Sequence, residues 1–251
     1  MIKNDAKSSK INLILAGTQK GGTSALDIYL RKHNEILMAN TKEVHYFDTE
    51  NNFSSEIDYA TYHSNFSLPT NRKIIGESTP IYMYWYHAPQ RMWAYNPEMK
   101  IIVVLRNPID RAYSHWNMER ERGKEQLSFF EAIHNEQSRC KESLPLQHRV
   151  YSYIDRGYYC EQLKRLFHFF PKESVLVLKS QELKNNLTYT LNEISDFLEI
   201  EQFKKIKHKN IHSRKYTKIN ENDKYYLKDV YNYEIKQLEK LLSWDCSDWL
   251  A

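Results

Sequence analysis

The sequence predicts an α/β fold, a central parallel β-sheet flanked by helices in a single domain of 251 residues. Three observations carry that expectation. Four short, nearly continuous apolar runs, at 11–16, 73–76, 100–105 and 174–178, have the length and composition of strands covered on both faces. Helical periods lie between them, and strands alternating with helices build parallel sheets. A glycine-rich turn joins the first strand to the first helix, an arrangement that α/β folds use to hold anions.

The first run leads into Gly17-Thr-Gln-Lys20-Gly21-Gly22-Thr23-Ser24 and then an amphipathic stretch with Ala25, Ile28, Tyr29 and Lys32 at helical spacing. A Walker A loop needs a glycine, four residues, then Gly-Lys-Ser/Thr. Gly17 and Gly22 have that spacing and Ser24 supplies the hydroxyl, but Thr23 fills the lysine slot and the only lysine, Lys20, lies inside the loop. The segment reads as a cradle for a phosphate-like anion and not for magnesium-bound ATP. The backbone N–H groups of Gly21, Gly22 and Thr23 would hold the anion, with the Thr23 and Ser24 hydroxyls and the Lys20 charge beside them.

The run at 100–105 ends at Leu105, which places Arg106 at a strand's carboxyl end, where open α/β sheets bind ligands. The planar fork of an arginine suits a phosphate there. Pro108 fits the first turn of a following helix that carries Ile109, Ala112, Tyr113 and Trp116 on one face, with Ser114 two turns in. Leu163, Leu166, Phe167 and Phe170 mark another helix, stopped by Pro171 before the fourth strand. Two more helices are expected at 187–198 and 223–242, the second with Leu227, Val230, Tyr231, Leu238 and Leu241 on one face. Residues 204–216 are basic and without a period, which predicts a mobile basic loop, and residues 1–10 read as a flexible tail.

Charged residues make up 27% of the chain with a formal net charge of +4, and no basic stripe runs along it, which argues against a nucleic-acid partner. No apolar run approaches the ~18 residues of a membrane-spanning helix, and the N-terminus lacks the apolar segment of a signal peptide. The expectation is a cytoplasmic protein without a membrane partner. Cys140, Cys160 and Cys246 are scattered and lack metal-ligand spacing, so they read as free thiols in a reducing compartment and no metal site is expected. The sequence sets no oligomeric state.

Taken together, Gly-Thr-Gln-Lys20-Gly-Gly-Thr-Ser after a first strand and Leu-Arg106-Asn-Pro-x-x-Arg-x-x-Ser114-His after a later one resemble the two nucleotide motifs of the sulfotransferase family. Lys42-Glu43-Val44-His45-Tyr46-Phe47-Asp48 is similar to the segment that carries the base in its heparan-sulfate-type branch. Arg156-Gly-Tyr-Tyr159-x-x-Gln-Leu followed by Phe-Phe-Pro and a strand is similar to that branch as well. The resemblance covers roughly residues 11–185.

It implies a P-loop-like fold and transfer of a sulfuryl group from 3′-phosphoadenosine 5′-phosphosulfate (PAPS) to a hydroxyl or amine, with 3′-phosphoadenosine 5′-phosphate (PAP) as product and no metal. Lys20 and the loop from Gly21 to Ser24 would hold the 5′-phosphosulfate, with Lys20 also stabilising the leaving phosphate. Arg106 and Ser114 would hold the 3′-phosphate, with Tyr159 near the nucleoside. Glu43 would be the base and His45 would orient it or line the acceptor pocket. Ser213, Arg214 and Lys215 sit where a basic loop closes over the donor in related enzymes, although the glycine often seen there is missing.

The preferred acceptor is a small metabolite, with a carbohydrate as the alternative. A P-loop kinase and a non-catalytic nucleotide-binding homologue are the rival functions. The aromatic run at 82–93 fits either an acceptor pocket or core packing.

Overall fold

The computed structural model describes residues 10–204 and 217–251. The predicted tail, apart from Lys10, and the predicted basic loop, apart from Lys204, lie outside those residues, and Ser213, Arg214 and Lys215 with them. Five strands make one parallel sheet: β1 (Leu13–Gly17), β2 (Ile36–Met38), β3 (Ile74–Ser78), β4 (Lys100–Leu105) and β5 (Val175–Lys179), in the order β2-β3-β1-β4-β5. Four of them fall on the apolar runs, shifted by at most two residues. β2 was not expected: three residues are too few to show a period, and it is defined by pairing, Ile36 beside Ile74 and Met38 beside Gly76.

Ten α-helices are described: α1 (Thr23–Leu30), α2 (Tyr59–His63), α3 (Ala88–Tyr95), α4 (Pro108–Glu121), α5 (Phe129–His134), α6 (Glu136–Cys140), α7 (Tyr159–Phe169), α8 (Ser180–Asn185), α9 (Leu187–Leu198) and α10 (Glu221–Leu242). Pro108 stands in the first turn of α4, where the Asn107 side chain accepts from the Ile109 N–H. Among the described residues, no helix is long and apolar enough to cross a membrane.

Alternation along the strands divides the core in two. Ile14, Ala16, Ile75, Ile101, Val103 and Leu105 pack toward α3, α4, α7 and α10, whereas Leu13, Leu15, Ile74, Ile102 and Val104 pack toward α1 and α9. The helix after β1 and the helix after β4 thus lie on opposite faces of the sheet. A crevice opens between adjacent strands where their connections diverge in this way. The loop after β1 and Arg106 after β4 are at that crevice.

The aromatic run resolves as core over most of its length. Tyr82, Met83, Tyr84 and Trp85 are buried, and of the run's large hydrophobic residues Tyr86 and Trp93 are exposed. Cys160 and Cys246 are buried and Cys140 is half-buried; all three are free thiols, and burial pushes each well above an ordinary thiol.

Candidate functional site

The glycine-rich loop after β1 is pressed against β4. The Thr18 N–H donates to the Val104 carbonyl at 3.0 Å and the Gly21 N–H to the Thr18 carbonyl at 2.8 Å. A Cβ on Gly21 would come within 2.3 Å of the Val104 carbonyl oxygen, so the close approach requires glycine there. Gly22 has φ 111°, a left-handed conformation that turns the chain into α1. No side chain caps α1, which leaves its first N–H groups facing the mouth of the crevice, where an anion is favoured.

Arg106 lies against this loop. Its Nη1 donates to the Lys20 carbonyl at 3.4 Å and its Nη2 is 3.9 Å from Asp110. Ser114 is buried on α4. Tyr159 is buried completely and its hydroxyl donates to the Arg106 carbonyl at 2.8 Å. It supports the backbone of Arg106 from beneath.

Glu43 and His45 come to the mouth of the crevice from the other side. The Glu43 N–H donates to the Ser78 carbonyl at 2.9 Å, and Ser78 is paired with Leu15 of β1, so the segment sits at the carboxyl ends of adjacent strands. Two residues apart in an extended segment, the side chains would share a face. The backbone is not extended: Glu43 has φ 64° and His45 φ 57°. Their side chains still meet, with His45 Nε2 3.6 Å from Glu43 Oε2. Only five non-glycine residues among those described have positive φ, and Lys20, at φ 69°, is a third. Such conformations cost about 1–3 kcal/mol each and tend to collect at functional sites.

The charges are ordered. Lys42 Nζ is 2.6 Å from Glu43 Oε1, and His45 Nδ1 is 3.0 Å from Asp48 Oδ2. The His45 imidazole, and then Lys42, outweigh burial and lower the Glu43 carboxyl to about 2. Asp48, followed by Glu43, raises His45 to about 9 against the same penalty. At neutral pH Glu43 is therefore a carboxylate and His45 an imidazolium. Beneath them the buried Glu77 accepts from Tyr62 at 3.0 Å, Tyr82 at 3.1 Å and Thr79 at 2.5 Å, while the Tyr82 oxygen accepts from the Tyr46 N–H at 2.9 Å. Burial raises Glu77 to about 7.

These shifts give a stability prediction. His45 stabilises the fold fully below its ordinary value of 6.5, and that contribution is lost as pH rises through about 9. Glu43 contributes above 4.5 and loses its share as pH falls through about 2. Melting temperatures of the parent and His45→Gln are expected to differ most at and below pH 6.5 and to converge by pH 10. A constant difference from pH 6 to 10 would refute the charge assignment.

The sequence profile of the sulfotransferase domain matches residues 10–243. The chain belongs to the sulfotransferase family. The crystal structure of a sulfotransferase from Alicyclobacillus acidocaldarius superposes with a TM-score of 0.83 at 25% identity, over 97% of this chain and 100% of that one. The human bifunctional heparan sulfate N-deacetylase/N-sulfotransferase 3 is 30% identical over 74% of this chain and 22% of its own length. The membrane-associated sulfotransferase kil1 of Dictyostelium discoideum is 23% identical over 93% of this chain and 65% of its own. The chain thus spans less than two thirds of either relative's length.

Within this family's frame, several residues of the site escaped sequence reasoning. Asp48 was visible only as the end of the Lys42–Asp48 segment, and its partner Arg149 carried no signal: Nη1 reaches Asp48 Oδ2 at 2.5 Å and Nη2 reaches the Asp48 carbonyl. Arg156, quoted in a motif without a role, donates to Gln19 Oε1 at 2.7 Å. Arg111 is completely buried, bound to the Tyr153 carbonyl through Nη2. Among the described residues no group of three or more His, Cys, Asp or Glu is placed to hold a metal ion.

Proposed function

We propose that this protein moves the sulfuryl group of PAPS to a hydroxyl or amine of a small metabolite. The observation that carries this reading is that two unlike groups stand beyond the carboxyl ends of adjacent strands. An uncapped helix N-terminus with Lys20 and Arg106 suits the anionic donor, and an ionised Glu43 stands at the end of the neighbouring strand.

The donor loop fits a phosphosulfate better than a triphosphate. Thr23 stands in the slot of a Walker lysine, and β4 is followed by Arg106 where a magnesium-binding aspartate would be expected. In the reaction, the acceptor's oxygen or nitrogen forms a bond to sulfur as the bond from sulfur to the bridging phosphate oxygen breaks. The acceptor's proton goes to a carboxylate oxygen of Glu43, and the electron pair of the broken bond stays on the 5′-phosphate of PAP. Lys20 offsets the charge that grows on that oxygen. His45, held by Asp48, fixes Glu43. As an imidazolium it has no lone pair to accept a proton, which favours Glu43 over His45 as base.

The small-metabolite preference rests on how charge is spent around the base. Lys42 is paired with Glu43, Arg149 with Asp48 and Arg91 with Glu50. A sulfated or uronate-rich glycan needs cations to spare, whereas these three, among the described residues, are paired with carboxylates. The second reading, a carbohydrate acceptor, draws on the Lys42–Asp48 segment and on relatives named for heparan sulfate. Radiolabelled PAPS with a panel of small alcohols, amines and heparan-type oligosaccharides decides between them. Label carried only by the oligosaccharides would overturn the preference. The free thiols, two of them buried, support a reducing, cytoplasmic setting.

Two further results are expected. Arg106→Ala should weaken PAP binding by about ten- to a hundredfold, the loss of charge-assisted hydrogen bonds to a phosphate, read by calorimetry; an unchanged Kd would remove Arg106 from the donor site. Transfer should persist in excess EDTA. Strict magnesium dependence, with phosphate in place of sulfate on the product by mass spectrometry, would favour a kinase. A parent that binds PAP and sulfates nothing would favour a binding protein.

A further inference from the structure

Two arginines on one short segment connect the glycine-rich loop with Glu43. Arg156 is almost fully buried, with its guanidinium 4.7 Å from the Tyr84 ring. Its Nη1 donates to Gln19 Oε1 at 2.7 Å, its Nε to Ser152 Oγ at 2.9 Å and its Nη2 to the Arg149 carbonyl at 2.7 Å. Gln19 immediately precedes Lys20 in the donor loop. Arg149 in turn holds Asp48 through both the carboxylate and the carbonyl, and its guanidinium lies 4.3 Å from the Trp85 ring. Asp48 holds His45, and His45 meets Glu43. A continuous path of polar contacts thus runs from the residue beside Lys20 to the base.

The segment that carries both arginines is itself pinned. The Glu136 carboxylate accepts from the Ile154 N–H at 2.6 Å and the Asp155 N–H at 2.8 Å, Tyr231 donates to the Ile154 carbonyl at 2.7 Å, and Tyr84 donates to Asp155 Oδ2 at 2.6 Å. A Cβ on Gly157 would lie 2.3 Å from the Tyr231 hydroxyl, so no side chain fits between this segment and α10. Three elements far apart in sequence hold the segment in place. A rigid support of this kind is what fixes reacting groups to the fraction of an ångström that transfer demands.

We propose that residues 149–156 form a brace with two separable tasks: Arg156 positions the donor loop through Gln19, and Arg149 positions the base through Asp48 and His45. Both are positioning residues in this proposal, since each acts through another side chain, Gln19 or Asp48. The inference rests on the donor and base assignments above. Its signature is a division of effects between two arginines joined by one hydrogen bond.

The test measures PAP affinity by calorimetry and steady-state kinetics with an acceptor found in the panel, for Arg156→Met, Gln19→Ala, Arg149→Met and Arg149→Lys. Arg156→Met is expected to weaken PAP by about tenfold or more, and Gln19→Ala to weaken it in the same direction. Gln19→Ala removes the same hydrogen bond without opening a hole under Tyr84, so it carries the test if the arginine variant does not fold. Arg149→Met is expected to keep PAP affinity within about twofold while kcat falls at least tenfold, and Arg149→Lys to recover part of that loss. The brace is overturned if Gln19→Ala and a folded Arg156→Met bind PAP like the parent. It is equally overturned if Arg149→Met and Arg156→Met show the same loss in both measurements, which is what general destabilisation would give. A parent that fails to bind PAP would instead overturn the donor assignment on which the inference stands.

Discussion

Glu43→Gln is expected to lower kcat by about 10²–10⁴-fold, the usual contribution of a general base, while PAP binds as it does to the parent. The substitution keeps the shape of the side chain and removes its ability to take a proton. It also removes a negative charge from the Lys42–Glu43–His45–Asp48 chain, so His45 should titrate below the parent's value of about 9. In the unliganded site the carboxyl is held near 2, which makes it fully ionised but a weak base. For Glu43 to serve as the proposed base, acceptor entry has to loosen its contacts with His45 and Lys42 or exclude water around it, each of which raises its proton affinity. Lys42→Met, which removes the 2.6 Å contact, should leave the enzyme active, and Glu43→Gln should not. Turnover of Glu43→Gln within threefold of the parent would take Glu43 out of the base role.

Lys20→Ala is expected to cost about 10²–10³-fold in kcat, the range seen when one donor to a developing oxyanion is removed. The effect on turnover should exceed the effect on PAP affinity, because the charge on the bridging oxygen is greater at the transition state than in the bound donor. Lys20 also occupies a left-handed backbone position that glycine would fill at lower cost, and its carbonyl accepts from Arg106. Alanine keeps the backbone demand and that hydrogen bond while deleting the ammonium, which makes it the clean variant. An equal loss in Kd and kcat would mean that Lys20 binds the donor without favouring transfer. No loss in either would remove it from the site.

Much of the donor half was legible because its signals are local. Gly17 to Ser24 is one stretch of chain between a strand and a helix, and its glycine spacing and misplaced lysine can be read without any partner. Arg106 is legible for the same reason, since the apolar run ends one residue before it and β4 ends at Leu105. Pro108 and the α4 period behave similarly. β2 was hidden because three residues carry no period, and the aromatic run at 82–85 was ambiguous because packing and ligand lining use the same side chains.

The acceptor half is another matter. Glu43 and His45 could be named from their segment, but an extended backbone was the wrong reason for their meeting. Positive φ at both residues, anchored by the Glu43–Ser78 backbone hydrogen bond, brings them together. Tyr159 could be named from its motif, but its hydrogen bond to the Arg106 carbonyl, 53 positions away, could not be read there.

From the chain alone came four of the five strands, the glycine-rich loop, its lysine and the family's two nucleotide motifs, since each is written in residues that are neighbours in sequence. Tertiary structure decided what holds Glu43 and ties it to the loop at Gln19. Arg149 and Asp48 are 101 positions apart, and Arg156 and Gln19 are 137 apart. Hydrogen bonds across such separations depend on where the sheet and helices carry each side chain, and they leave no periodic or spaced trace in the sequence that folds to make them.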